Sequence, residues 1–183
     1  MNELNEHQSA KIDRHVTALL VIDVQQGLFE KSTPIYKGQQ LLQNINTLVE
    51  SAHLSGVPVF YVQHSDQKSL VKGSPEWQLH TGLSPLNQDS IIHKQHGNAF
   101  EETALDEVLH SRGVTTLVVT GLVTHGCVRA TCIGARQLGY RVILVTDGHS
   151  SFSKQAPQLI EEWHLKLAAI GVELLATSEI AFG

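Results

Sequence analysis

The chain has 183 residues, 42% of them hydrophobic, with 13 Lys plus Arg against 18 Asp plus Glu for a formal net charge of −5. A single domain over 1–183 is the expectation at this length, with a core that needs no disulfide to hold it. The acidic balance argues against nucleic acid or a membrane as partner, because both bind proteins largely through phosphates.

Charged residues make up 17% of the chain, below the roughly 25% of soluble domains, which points to surface covered by another subunit. Two cysteines cannot form a disulfide scaffold. Residues 1–15 are polar, hold no hydrophobic signal core and read as an N-terminal tail. No apolar run approaches the roughly 18 residues that cross a bilayer, so a soluble cytoplasmic protein is expected. In a reducing compartment a lone cysteine is either core or chemistry.

The first continuous apolar run is TALLVI at 17–22. GQQLLQNINTLVESAHLSG follows with Leu41, Ile45, Leu48 and Val49 on one helical face and Gly56 as its stop. VPVFYV (57–62) comes next, then a stretch from His64 to Asp89 without helical or strand periodicity. Long loops in compact domains are usually functional. SIIH (90–93) precedes FEETALDEVLHSRG, whose acidic start suits a helix N-terminus. TTLVVT (115–120), CVRATCIGARQLG, RVILVT (141–146), APQLIEEWHLKLAAIG and VELLA (172–176) complete the alternation. Continuous rather than alternating apolar runs mark strands buried on both faces. The predicted fold is therefore an α/β three-layer sandwich, helices on both sides of a six-stranded, mostly parallel sheet.

Ligands of open parallel sheets bind beyond the carboxyl ends of the strands. Asp23 follows TALLVI, Lys94 follows SIIH, Cys127 follows TTLVVT within GLVTHGCV, and Asp147 follows RVILVT. A carboxylate, an ammonium and a thiol suit thiol chemistry: a cation and a helix N-terminus favour the thiolate, and a carboxylate can carry its proton to a leaving group. Gly121 and Gly126 have the spacing of a phosphate-binding loop, but Cys127 and Val128 stand where Lys and Ser or Thr are required. The glycine pair reads instead as a tight turn that aims N–H groups at a substrate oxygen.

LLVIDVQQGLF, HKQHGNAF and VVTGLVTHGCVRATCIGARQLGYRVILVTDGHSSF resemble, in order, the signature blocks of the isochorismatase-like cysteine hydrolases, and the likeness extends over residues 16–181. The resemblance implies a catalytic triad of Asp23, Lys94 and Cys127. It also implies a cis peptide between Leu122 and Val123, an oxyanion hole from the Val123 and Cys127 amides, and a dimer or tetramer. A small-molecule amide, imide or ureide would be cleaved at its C–N bond through a thioester. Two alternatives stand beside it: a vinyl ether hydrolase using Asp23, and a catalytically inactive binding or assembly member.

Phe29, His64, Trp77, His125 and Phe152 are the candidate substrate-binding residues. Nicotinamidases of this superfamily bind a metal after the second strand. Here His64, Asp66 and His80 lack a recognisable ligand spacing, so no metal and no cofactor is expected. Gln25 could orient Lys94 or substrate, and Asp147 is expected to brace its loop through Ser150 or Ser151. Cys132, five residues past Cys127 and so about 140° around a helix, is expected in the core.

Overall fold

A computed structural model describes residues 10–183. Six strands, β2 (Thr17–Ile22), β3 (Val59–His64), β4 (Ser90–Lys94), β5 (Thr116–Leu122), β6 (Arg141–Ser150) and β7 (Glu173–Leu175), form a sheet of order β4-β3-β2-β5-β6-β7. All of its pairings are parallel. Each corresponds to one apolar run of the sequence. Because both faces are covered, every residue of β2 is buried, Leu19 and Val21 toward one layer and Ala18, Leu20 and Ile22 toward the other.

The first layer is α2 (Gly38–Ser55), whose Leu41, Ile45, Leu48, Val49 and Ala52 pack on Tyr61, Val118 and Ile143. The second holds α3 (Leu105–Ser111), α4 (Arg129–Gln137) and α5 (Ala156–Ala168), which bring Leu109, Cys132, Ala135 and Leu167 against Phe60, Leu117 and Leu144. Cys132 is fully buried there, as its position on α4 predicted. No helix among the described residues is long and apolar enough to cross a membrane.

Three local features differ from expectation. Within the tail expected over 1–15, Ala10–Ile12 forms β1, paired in parallel with β8 (Ile180–Phe182). Ile12 is buried in the α2-side core and supplies the apolar anchor for that pairing; residues 1–9 of the expected tail lie outside the described residues. The helix expected from Phe100 begins at Leu105, because Thr103 bonds the Ala99 carbonyl and the Leu105 amide through its hydroxyl and so replaces the helical ladder. A short α1 (Gln26–Phe29) lies just past β2.

The chain leaves β2 toward β3 and β4, then returns across to β5 on the other side of β2. The reversal makes β2 and β5 the switch point of the sheet, where ligands of such folds bind. These two strands approach closely there. Gly121, at φ +116°, is the register partner of Ile22, and a Cβ on it would lie 2.0 Å from the Ile22 carbonyl oxygen. Gly139 has φ +93° but open space around it. Gly121→Ala is therefore expected to destabilise the protein by more than about 4 kcal/mol, and Gly139→Ala by about 1–2 kcal/mol. Equal urea midpoints for the two variants would contradict this account of the β2–β5 approach.

Candidate active site

Four adjacent strand ends supply the site. Asp23 follows β2, His64 ends β3, Lys94 ends β4 beside it in register, and Cys127 lies in the turn after β5. Asp23 has φ +51°, in the left-handed region that Asp tolerates better than most residues. Its amide donates to the Val62 carbonyl at 2.9 Å, which ties the residue to the end of β3.

The Lys94 ammonium is at the centre. It donates to Asp23 Oδ2 at 2.8 Å, His96 O at 3.1 Å, Cys127 Sγ at 3.2 Å and His64 Nδ1 at 3.3 Å. Four acceptors for three N–H bonds hold the cation without a water molecule being needed. The Lys94 and Asp23 side chains are 0% and 3% exposed, and Asp23 Oδ1 is buried with no hydrogen-bond partner among the described residues. That oxygen is free to accept a proton.

Cys127 sits in a single turn, Thr124–Val128, that precedes α4 rather than inside the helix itself. The turn is closed by Val128 N–H to Val123 O at 3.4 Å and Gly126 N–H to the same oxygen at 3.0 Å. The peptide bond between Leu122 and Val123 is cis. The loop after β4 is joined to α4, where the Ala99 amide donates to Thr131 Oγ1.

Lys94 favours the thiolate, as expected of a neighbouring cation, but it is not the dominant influence on the sulfur. Burial, followed by the charge of Asp23, pushes the Cys127 thiol up to about 12, outweighing Lys94. The resting sulfur is thus a thiol beside a carboxylate. His64 is held below the usual histidine range by burial and by Lys94, so it is neutral and can accept from the ammonium.

The other candidates take different places. Phe29 and Phe152 pack against the α2-side core, and the Phe29 ring lies 4.2 Å from that of His80. His125 Nδ1 is 3.4 Å from Ser151 Oγ. Trp77 is buried with its ring centroid 5.1 Å from that of His93, and its carbonyl is joined to the His64 backbone through Gln25. Gln25 is neither a surface amide nor a partner of Lys94. It is fully buried, donates to the carbonyls of His64 and Trp77 at 2.9 and 2.7 Å, and accepts from the His64 amide at 2.8 Å. It thereby pins the end of β3 to the 64–89 loop. Asp147 does not brace a loop through Ser150 or Ser151 as expected: it lies within β6 and its carboxylate accepts from the Thr177 amide and hydroxyl, both at 2.8 Å.

The hint of a metal at His64, Asp66 and His80 dissolves into separate uses. Asp66 Oδ1 accepts from the amides of Lys68, Ser69 and Leu70, bonds that hold its carboxyl well below the usual range. His80 Nδ1 accepts from the Gly82 amide. A different trio, Asp23, His64 and Cys127, offers ligand atoms within 4.8 Å of one another. Lys94 Nζ already donates to all three, so an ammonium stands where a metal cation would have to sit.

The isochorismatase domain family matches residues 17–177. Streptothricin hydrolase of Streptomyces noursei is 31% identical over 139 residues, 75% of this chain, and the chain spans only about half (50%) of that relative's length. Maleamate amidohydrolase of Pseudomonas putida is 30% identical over 149 residues, 71% of this chain and 70% of its own. Among solved structures, an isochorismatase from Pseudomonas putida superposes with a TM-score of 0.86 at 26% identity, covering 93% of both chains.

A buried protonated thiol has a kinetic signature. Iodoacetamide is expected to modify Cys127 more slowly than free cysteine at pH 6–7, with a rate that climbs about tenfold per pH unit toward pH 10 as thiolate accumulates. Selective modification at mildly acidic pH, followed by peptide mass mapping, would contradict the raised thiol.

Proposed function

The chain belongs to the isochorismatase family, and from that premise we propose that it is a hydrolase that cleaves a C–N bond of a small amide, imide or ureide through a thioester on Cys127. One observation carries the reading: a single ammonium, Lys94 Nζ, bonds both Asp23 Oδ2 and Cys127 Sγ at the switch point of the sheet. The names of two relatives, one a hydrolase and one an amidohydrolase, support the same class of reaction.

The proton follows the carboxylate. Asp23 takes it from the thiol as the sulfur attacks the carbonyl carbon, so no free thiolate is needed beforehand. The amides of Val123 and Cys127 receive the charge that develops on the carbonyl oxygen. Asp23 then gives its proton to the departing nitrogen, the C–N bond breaks, and the acyl group remains on sulfur. A water molecule, deprotonated by the same carboxylate, attacks the thioester and releases the acid, and the thiol recovers its proton. Lys94 orients Asp23 and donates to the sulfur. His64, neutral and beside the ammonium, forms a polar wall.

Ammonia release from a panel of primary amides, imides and ureides tests this directly. On the best substrate, Cys127→Ala and Asp23→Asn are each expected to lose about a thousandfold or more in kcat/KM. A Cys127→Ala enzyme that keeps most of its activity while Asp23→Asn loses it would instead favour direct attack by a water molecule activated at Asp23, with no thioester. Absence of turnover on the whole panel by the wild type would favour a binding role.

A further inference from the structure

Behind the nucleophile turn lies a polar chain that the proposed chemistry does not use. Thr124, the first residue of the turn, is fully buried, and its Oγ1 is 2.8 Å from His149 Nδ1. His149 belongs to β6 and is the register partner of Gly121, so its backbone is fixed relative to the end of β5. Its other nitrogen, Nε2, is 2.9 Å from His164 Nε2 on α5. His164 Nδ1 is 3.9 Å from the Glu161 carboxylate, and its side chain is 13% exposed. We propose that Thr124, His149 and His164 form a hydrogen-bonded chain that holds the nucleophile turn in place, with His149 as its central positioning residue.

Two imidazole nitrogens that face each other can share only one proton, so the chain has a direction. Glu161 favours a proton on His164 Nδ1, which leaves His164 Nε2 to accept from His149 Nε2–H. His149 Nδ1 then accepts, and the Thr124 hydroxyl donates to it. Several other charged groups of the packed elements are engaged elsewhere. Arg129 of α4 and Lys166 of α5 lie over the Trp163 ring at 4.9 and 4.7 Å, Asp147 of β6 holds Thr177, and His125 of the turn is beside Ser151. Burial, then His164, pushes His149 down to about 3, so the ring is neutral and the chain intact at neutral pH.

Val123, just before Thr124, and Cys127, three residues past it, hold the sulfur and both amides invoked for the oxyanion. Misplacement of such groups by about 1 Å can cost on the order of a hundredfold in rate. The proposed chemistry gives none of the three chain residues a step, so their effect runs through the geometry of the turn. The proposal rests on Cys127 as nucleophile.

Thr124→Val keeps the shape and removes the hydroxyl, while Thr124→Ser keeps the hydroxyl. On an amide hydrolysed by the wild type, Thr124→Val is expected to lower kcat about tenfold or more with KM within about twofold, and Thr124→Ser to restore kcat to within about twofold. His164→Ala, at the surface end of the chain, is expected to lower kcat several-fold, and combining it with Thr124→Val to add little further loss. It also serves as the test if Thr124→Val does not fold. The rate of Cys127 alkylation at pH 9 is measured on the same variants and is expected to shift by about threefold or more in Thr124→Val. Wild-type kcat and alkylation in Thr124→Val and His164→Ala, with only Tm reduced, would overturn the proposal. If the wild type hydrolyses no amide, the hydrolase reading fails on that result alone, and the alkylation rates still decide the chain, because they depend on where Sγ sits and not on substrate.

Discussion

Lys94 and Asp23 form an ion pair 2.8 Å long whose side chains are 0% and 3% exposed, and both charges must find compensation without solvent. Breaking such a pair by removing one partner costs about 3–5 kcal/mol, since the survivor stays buried and charged. The surroundings are arranged accordingly. The Lys94 side chain meets a carbonyl, a neutral imidazole and a thiol besides its carboxylate. The strand order puts these acceptors on neighbouring strand ends, and the close approach of β2 to β5 at Gly121 sets how far Asp23 stands from the turn that bears the sulfur.

The same burial that demands pairing also sets the reactivity of Cys127. Desolvation and the adjacent carboxylate hold the sulfur protonated, so the ammonium does not make a resting thiolate. In the proposed reaction, proton transfer to Asp23 accompanies attack on the substrate, and Asp23 Oδ1 is buried with no hydrogen-bond partner among the described residues. The supports are indirect: Gln25 fixes the backbone of His64, Thr131 ties the loop after Lys94 to α4, and Thr124 links the nucleophile turn to β6.

Much of this was legible in the chain. TALLVI and its five counterparts became the six sheet strands because strands covered on both faces are continuously apolar, and Asp23, Lys94 and Cys127 stood out because each directly follows or closely trails one of them. Three-residue β1 and β8 were not legible, since their pairing joins opposite ends of the chain and only Ile12 of β1 is buried. Asp66 seemed a ligand candidate, yet it is consumed by the amides that follow it, a local bonding habit of Asp that the sequence also permits. Neither the depth that raises the Cys127 thiol nor the meeting of His149 with His164 has a local signature. Both depend on how separate elements pack.

The central claim is a covalent one, that the acyl group of the substrate passes through Cys127 sulfur. Rapid acid quench of the enzyme during turnover, followed by intact-mass and peptide mass spectrometry, tests it most directly. The account predicts a peptide containing Cys127 heavier by the acyl group of the substrate, absent in Cys127→Ala and lost on treatment with hydroxylamine. Sustained turnover with no adduct on that peptide at any quench time, together with undiminished activity in Cys127→Ala, would contradict it.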